Sequence, residues 1–175
     1  LDGGCYIAAT AYKNGDFTPY LYKTEDYGKS WTKITKGIPA EHFTRTLRAD
    51  PVTKGLLYAG TEYGMYISFD DGKNWKAFQL NLPIVPITDL VIKNEFLIAA
   101  TQGRSIWMID DLGPLRQLGS MSNDKKTILF KPKPSVRMDG GSFDTKNTGI
   151  NHPNGLILSF YTDTINPKDT IKFIC

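Results

Sequence analysis

The feature that most constrains this chain is an eight-residue phrase that occurs twice, TEDYGKSW at 24–31 and SFDDGKNW at 68–75. Its aspartates, Asp26 and Asp70, lie 44 residues apart (70 − 26). The same offset aligns further residues: Gly28 with Gly72, Trp31 with Trp75, Tyr22 with Tyr66, Pro39 with Pro83 and Thr44 with Thr88. An internal repeat of this length indicates that one structural unit is built more than once.

A second phrase occurs three times and so indicates three repeat units: YIAAT at 6–10, LYAGT at 57–61 and LIAAT at 97–101. The last two copies lie 40 residues apart (97 − 57). The first two lie 51 apart (57 − 6), seven more than the 44-residue offset (51 − 44), and we place these seven extra residues in the loop 11–19. Short runs rich in Tyr, Ile and Thr, separated by Gly, Pro and Asp-Gly, are typical of strands and turns. The sequence therefore predicts an all-β fold.

A period of 40–44 residues is the length of one four-stranded antiparallel blade of a β-propeller. The strands expected in the central unit are 43–48, 55–61, 65–69 and 75–80, and no segment shows the period of a helix. The chain would then hold three strands of one blade (about 5–36), one whole blade (about 43–80) and most of a third (about 87–112). Two and a half blades cannot close a ring, so we expect a piece of a longer protein whose remaining blades cover its open edges.

The repeated phrase itself is expected to be structural rather than catalytic. Thr24, Asp26, Gly28, Ser30 and Trp31 fit the pattern Ser/Thr-x-Asp-x-Gly-x-Ser/Thr-Trp in full, and Ser68, Asp70, Gly72 and Trp75 fit it with Asn74 in the seventh place. In a hairpin turn the Asp accepts hydrogen bonds from the turn's own amides, and the Gly takes a positive φ. The Trp would start the fourth strand and be buried between blades. In the third unit Asp110 meets the Asp position, but Leu112 meets the Gly position, so this copy is expected to be degenerate.

With these motifs the chain resembles the Asp-box (BNR-repeat) β-propeller superfamily, and within it bacterial sortilin-like and BNR-repeat glycosyl hydrolase proteins. The stretches that carry the resemblance are 60–75, 79–92 and 100–118, with Gln102 in place of a His and Met108 in place of an Ile or Val. The resemblance implies a C-terminal propeller part at 1–118 and a linker at 119–135. It also implies the start of an immunoglobulin-like β-sandwich at 136–175, with strands at 154–161 and 170–174.

What the resemblance implies about function has two forms. The first is a secreted, carbohydrate-active protein of the glycoside hydrolase kind, of which this chain would be a catalytically incomplete part. The second is a non-catalytic, sortilin-like propeller that binds a peptide or protein ligand. Both imply a bacterial protein exported to the periplasm or the extracellular space.

Resemblance to propeller glycosidases places ligands at the end of the sheets opposite the repeated phrase, on the loops 11–19, 39–43, 61–64, 83–86 and 101–104. A glycosidase needs two carboxylates, about 5 Å apart for retention or roughly 6.5–9.5 Å apart for inversion. Glu62 and Asp89 are the candidate catalytic pair, and the candidate ligand-binding residues are Tyr63, Arg45, Gln102 and Arg104, with His42 nearby. The alternative is that these are solvated loop residues or hydrogen-bonding partners between blades.

Other classes of function find little support. The formal charge is +3 and the basic residues are scattered, whereas a nucleic-acid site needs a basic stripe. No apolar run approaches 18 residues, so no membrane span is expected. His42 and His152 are isolated and show no metal-ligand spacing, and no cofactor is expected. Cys5 and Cys175 form no disulfide framework and are expected to be small buried side chains.

Overall fold

The computed structural model describes residues 3–119, 127–135 and 155–163. The chain divides into two compact units, Leu1–Ser120 and Met121–Cys175. In the described residues most of the ordered backbone is β-strand, arranged in separate antiparallel sheets, none of which closes on itself. The predicted all-β class is therefore confirmed for the part of the chain that the structure describes.

The first unit contains three sheets in which each strand pairs with the next one along the chain. Sheet 1 consists of β1 (Cys5–Ala11), β2 (Asp16–Thr24) and β3 (Thr32–Lys33). Sheet 2 consists of β4 (Thr44–Ala49), β5 (Leu57–Thr61), β6 (Gly64–Ser68) and β7 (Lys76–Ala77). Sheet 3 consists of β8 (Ile87–Lys93), β9 (Phe96–Thr101) and β10 (Ile106–Ile109).

The repeated sequence phrases lie on corresponding strands. The phrase YIAAT and its two relatives form β1, β5 and β9, and each is followed by an antiparallel partner. Sheet 1 thus has the second to fourth strands of the repeat, sheet 2 all four, and sheet 3 the first three. The four strands expected in the central unit are all present, with the last one shortened to two residues.

Two apolar clusters hold neighbouring sheets together. The cluster between sheets 1 and 2 contains Leu21, Ile34, Leu57, Tyr66 and Trp75, among others. The cluster between sheets 2 and 3 is built around Tyr58, Ile67, Ile87, Leu97 and Leu112. Both clusters draw on β5 and β6, whose ten residues are all buried. Short apolar runs of this kind are the expected sequence of a strand that is covered on both faces.

Sheet 3 ends in a helix, α1 (Gly113–Gly119), where the sequence predicts none. Seven residues are too few to show a helical period. Pro114 suits the first turn of a helix, and the Asp111 carboxylate accepts a hydrogen bond from the Gly113 N–H at 2.9 Å. Arg116 fixes the helix to sheets 2 and 3, because it binds the buried Asp50 carboxylate at 3.0 Å and Glu95 at 2.8 Å.

The third copy of the repeated turn is shifted by one residue from its expected place. Leu57 pairs with Ser68 in sheet 2, whereas the corresponding Leu97 pairs with Ile109, one residue beyond the 40-residue offset. The hairpin loop between β9 and β10 is longer by one residue and contains Ser105 at a positive φ. Asp111 and Gly113 therefore take the Asp and Gly positions, and the expectation that Asp110 and Leu112 occupy them is wrong.

Two expected burials are also corrected. Trp75 is 4 % exposed, but Trp31 is 41 % exposed, although each immediately precedes the last strand of its sheet, β7 or β3. Trp75 packs on the sheet that precedes its own, whereas no sheet precedes sheet 1 in the described residues. Cys5 is exposed on β1, an edge strand of sheet 1, and Cys175 lies outside the described residues.

The second unit is described by one short pair of strands, β11 (Thr127–Leu129) and β12 (Phe160–Thr162). β11 lies in the segment 119–135 that is expected to be a linker, and β12 overlaps the expected strand 154–161. The other expected strand, 170–174, lies outside the described residues. The immunoglobulin-like sandwich stays a prediction.

Candidate functional site

The three sheets of the first unit have two distinct ends, which we call the turn end and the loop end. The turn end carries the repeated turns of sheets 1 and 2 and the corresponding turn of sheet 3. Each turn donates one backbone hydrogen bond to a carbonyl just before β1, β5 or β9: Tyr27 to Gly3, Asp71 to Gly55 and Leu112 to Glu95. At the loop end, the hairpins that follow β5 and β9 each donate a backbone N–H to a carbonyl just before β4 or β8: Glu62 to Phe43 and Gln102 to Pro86. The repeated turns and the candidate site residues therefore lie at opposite ends.

The repeated turns are closed by their own residues. Asp26 accepts hydrogen bonds from the Ser30 backbone N–H at 2.9 Å, the Ser30 hydroxyl at 2.6 Å and the Thr24 hydroxyl at 2.8 Å. Asp70 accepts the matching hydrogen bonds from the Asn74 backbone N–H at 2.8 Å, the Asn74 side-chain amide and the Ser68 hydroxyl. Gly28 and Gly72 have φ angles of 83° and 82°, as a left-handed turn position requires.

Hydrogen bonding also determines the protonation of these aspartates. The Ser30 hydroxyl, followed by the Ser30 N–H, lowers the pKa of Asp26 to about 2. Burial by itself acts to raise the pKa of Asp70, but the hydrogen bonds from Asn74 outweigh it, and the pKa is lowered. A carboxylate with a lowered pKa is a poor proton donor, so neither aspartate is suited to act as a general acid.

The centre of the loop end is an ion pair between Arg45 and Glu62. The Glu62 carboxylate accepts hydrogen bonds from two guanidinium nitrogens of Arg45, each at 2.6 Å. Arg45 occupies a β-bulge of β4, between Thr44 and Thr46. A bulge turns a side chain out of the regular alternation. It brings the guanidinium to the hairpin that carries Glu62.

Two aromatic rings, Tyr12 and Phe43, lie against Arg45, and a third ring, Phe17, packs on Phe43. We call these three rings the aromatic cluster. Tyr12 and Phe43 stack with ring centroids 5.0 Å apart, and Phe17 lies 5.9 Å from Phe43. The Arg45 guanidinium lies 5.6 Å above the Tyr12 ring and 5.2 Å from the Phe43 ring. Phe43 is buried, whereas Phe17 is half exposed and Tyr12 is one-third exposed. The cluster therefore has two partly exposed rings, Tyr12 and Phe17, and Arg45 lies over the first of them.

Tyr63, the residue after Glu62, is a further exposed ring of the loop end. Its ring is half exposed and stacks on the imidazole of His42 at 4.7 Å. His42 is held in turn by a 2.7 Å hydrogen bond between its Nδ1 and the Tyr66 hydroxyl. This arrangement fixes the orientation of Tyr63, so its exposed face is presented in a defined position.

Asp89, the second candidate catalytic carboxylate, has different partners. It binds Arg48 at 2.6 Å and lies 3.4 Å from the Thr46 hydroxyl. The 44-residue offset would make Asp89 equivalent to Arg45, but the strand pairing does not. Thr46 pairs with Gly60, and Asp89 pairs with Ala100, which corresponds to Gly60 at the 40-residue offset. Asp89 therefore corresponds to Thr46 rather than to Arg45. The two candidate carboxylates, Glu62 and Asp89, belong to separate ion pairs.

The remaining candidate residues, Gln102 and Arg104, lie on the exposed hairpin between β9 and β10. The Gln102 backbone binds Pro86 at 2.9 Å, and the Arg104 carbonyl accepts a hydrogen bond from the Trp107 indole at 2.8 Å. Both side chains are exposed on sheet 3, whereas Arg45 and Glu62 pair on sheet 2.

The sequence predicts the loop end but misses the aromatic cluster. The expected loop 11–19 is reduced to residues 12–15, because Ala11 ends β1 and β2 begins at Asp16. Tyr12 lies in this connection and Phe17 lies in β2, and connections on a rigid scaffold are where binding residues concentrate. Asp16 holds the start of β2, because it accepts hydrogen bonds from the Tyr20 hydroxyl at 2.6 Å and the Thr18 N–H at 2.9 Å.

In the described residues no group of three or more His, Cys, Asp or Glu side chains is arranged to hold a metal ion. No helix in the described part of the chain has the length and hydropathy needed to cross a membrane.

Comparison with known proteins does not assign this chain to a family. No protein-family model matches the sequence, and no curated protein matches it. The Asp-box resemblance therefore stays a prediction from the motifs.

Proposed function

We propose that this chain is the C-terminal part of an Asp-box β-propeller, followed by the start of a β-sandwich, and that its loop end binds carbohydrate. Two observations support the propeller. Corresponding antiparallel sheets recur every 40–44 residues, and the first strand of sheet 2 lies against both β1 and β8. Export to the periplasm or the extracellular space belongs to the same proposal, and cell fractionation of a producing bacterium tests it.

The observation that carries the ligand class is that the loop end combines exposed aromatic rings, Phe17 and Tyr63, with the fixed Arg45–Glu62 pair. The apolar C–H face of a pyranose packs against a flat aromatic ring such as Phe17 or Tyr63. Its hydroxyl groups need a few fixed polar partners for orientation. The charge-assisted Arg45–Glu62 pair offers such partners, because it already has a defined geometry.

Binding is favoured over hydrolysis by the partners of the two candidate carboxylates. A glycosidase of either type needs a carboxylic acid that gives a proton to the leaving group. Glu62 and Asp89 both accept hydrogen bonds from arginines, and these arginines are different residues, Arg45 and Arg48. Hydrolysis by Glu62 and Asp89 is the competing proposal, and a sortilin-like peptide ligand is a further outcome of the same experiment.

The test is calorimetric titration of the 175-residue chain with a panel of β-glucans, sialosides and unrelated peptides. We expect a β-glucan or sialoside to bind, and Phe17→Ala or Tyr63→Ala to weaken binding by about tenfold, the loss of one well-packed aromatic contact. Tyr27→Ala is the matched control, because Tyr27 is an exposed ring at the turn end. Retention of peptides alone, or equal binding by all three variants, contradicts the carbohydrate proposal.

Hydrolysis is measured in the same samples as release of reducing ends. Glu62→Gln and Asp89→Asn are tested singly. If the chain cleaves a glycan and both substitutions abolish cleavage, the enzyme proposal replaces the binding one. If glycan binding persists without cleavage, the binding proposal stands.

A further inference from the structure

The ion pair at the loop end uses only part of each of its two side chains. Arg45 donates from Nε and from Nη2, each at 2.6 Å, and both nitrogens bind the same oxygen, Glu62 Oε2. An arginine and a carboxylate can instead form two parallel bonds that occupy both carboxylate oxygens. Among the hydrogen bonds of the described residues, none uses Glu62 Oε1 or Arg45 Nη1. The pair therefore keeps an acceptor and a donor for a ligand.

Both side chains of the pair are accessible, and both are held in place. The Arg45 side chain is 22 % exposed and the Glu62 side chain 27 %. The rings of Tyr12 and Phe43 lie 5.6 Å and 5.2 Å from the guanidinium and restrict its movement. The Glu62 backbone N–H binds the Phe43 carbonyl at 3.1 Å, which fixes the hairpin that carries the carboxylate. The pair is therefore a fixed feature of the loop end, unlike two mobile surface charges.

The pair carries no net charge, and the charges of the surrounding loop end also balance. The segments 11–19, 39–43, 61–64, 83–86 and 101–104, together with Arg45, carry three basic side chains, Lys13, Arg45 and Arg104, and three acidic ones, Asp16, Glu41 and Glu62. Lys13 and Arg104 are exposed, where a solvated charge contributes little to binding. An anion is attracted by an excess of positive charge, and these segments do not supply one.

A ligand carboxylate and a ligand hydroxyl group interact differently with such a pair. A carboxylate on Arg45 Nη1 would lie close to the Glu62 carboxylate on the same guanidinium, and like charges at this separation reduce affinity. A hydroxyl group is uncharged and both donates and accepts hydrogen bonds. It can therefore accept from Arg45 Nη1, and the same or a neighbouring hydroxyl can donate to Glu62 Oε1.

We propose that Glu62 is a specificity-determining residue, which neutralises Arg45 so that the loop end admits neutral sugars and excludes sugars that carry a carboxylate. The inference rests on the proposed binding of carbohydrate and narrows its ligand class, because it removes the sialosides. An aromatic face for a sugar ring lies close to the pair, since Phe43 contacts both the guanidinium and the half-exposed ring of Phe17.

The first test compares neutral and acidic sugars on the unmodified 175-residue chain, by calorimetric titration at neutral pH. One pair of probes is cellotetraose and the same tetrasaccharide with its C6 groups oxidised to carboxylates, and the other is lactose and sialyllactose. We expect a neutral member to bind, at least about tenfold more tightly than its acidic partner. Equal or tighter binding of the acidic member overturns the inference but leaves carbohydrate binding standing. Absence of binding by all four sugars overturns the proposed function and the inference with it.

The second test is Glu62→Gln, which keeps the shape of the side chain and removes the charge that neutralises Arg45. We expect the affinity for the acidic sugar to rise at least about tenfold relative to that for its neutral partner. Salt should weaken this new binding, because it depends on an unbalanced charge. Glu41→Gln is the matched control, since Glu41 is an exposed acidic residue of the loop end outside the pair, and it should change the ratio by less than about threefold.

A double variant, Glu62→Gln with Arg45→Gln, assigns the gain to the released guanidinium. We expect it to lose the acidic-sugar binding that Glu62→Gln acquires, and circular dichroism of each variant checks that it is folded. An unchanged ratio in folded Glu62→Gln, an equal change in Glu41→Gln, or a gain that persists without Arg45 overturns the role of Glu62. If Glu62→Gln does not fold, the preference of the unmodified chain between the paired sugars decides.

Discussion

The strongest prediction compares the same substitution at two corresponding positions, Trp75→Ala and Trp31→Ala. Both tryptophans end the repeated phrase and immediately precede the last strand of a sheet, β7 or β3. Trp75 is 4 % exposed, packs in the cluster between sheets 1 and 2, and donates its indole N–H to the Ile34 carbonyl at 2.7 Å. Trp31 is 41 % exposed and makes a longer indole bond, 3.2 Å, to Gly28 in its own turn.

The expected magnitudes follow from burial. Replacing a buried tryptophan by alanine costs about 3–5 kcal/mol of the free energy of unfolding, and we expect Trp75→Ala to fall in this range. If a fully covered tryptophan buries roughly 200 Å², the two rings differ by about 75 Å², which is worth about 2 kcal/mol at 25 cal/mol per Å². Trp75→Ala also leaves the buried Ile34 carbonyl without its indole donor, so we expect Trp31→Ala to cost at least about 2 kcal/mol less.

The assay is urea unfolding followed by far-UV circular dichroism, because tryptophan fluorescence changes with the substitutions themselves. The difference between the two variants is more reliable than either absolute value, because both refer to the same unfolded chain. Equal losses for the two variants, or a loss below about 1 kcal/mol for Trp75→Ala, would refute the assignment of Trp75 as the ring that joins sheets 1 and 2.

Two further predictions concern acid stability and the helix. The lowered pKa of Asp26, about 2, means that its ionised form stabilises the fold fully above its ordinary pKa of 3.8 and that this contribution is lost as the pH falls towards 2. Thermal unfolding between pH 2 and pH 5 should therefore depend less on pH in Asp26→Asn than in the parent chain, and equal slopes would contradict this. Arg116→Met should cost about 3–5 kcal/mol in urea unfolding, because it leaves the fully buried Asp50 carboxylate without a cation. Arg116→Met combined with Asp50→Leu should recover part of the loss, and no recovery would mean that the ion pair is not its source.

The sequence predicts those parts of the fold that depend on near neighbours. The hydrogen bonds of the repeated turn join Asp26 to residues no more than four positions away, so their residue types are visible as a motif. Strand positions in the central unit are predicted for the same reason, because strand and turn residues alternate locally. The position of the third turn was not predicted correctly. One additional residue in the hairpin loop between β9 and β10, which contains Ser105, shifts that turn by one residue from the 40-residue offset.

For the candidate site, the sequence predicts the end of the sheets at which it lies but not the contacts between its side chains. The resemblance to propeller glycosidases places Glu62, Tyr63 and Arg45 at the loop end. The structure pairs Arg45 with Glu62 and stacks Tyr63 on His42. Their partners come from elsewhere in the chain: Tyr12 is 33 positions before Arg45 (45 − 12), and Arg48 is 41 positions before Asp89. No local pattern reports such contacts, so the aromatic cluster and the separation of the two carboxylates were not predicted.

The amino-acid sequence by itself thus determines the all-β class, the repeat and the closure of its turns, because the interactions responsible span only a few residues. Tertiary structure decides which of two equivalent tryptophans is buried, since burial depends on whether a neighbouring sheet is present to cover the ring. It also decides that Glu62 faces Arg45 while Asp89 faces Arg48. Such pairings depend on sheets packed from distant parts of the chain, where a shift of one residue turns a side chain to the opposite face.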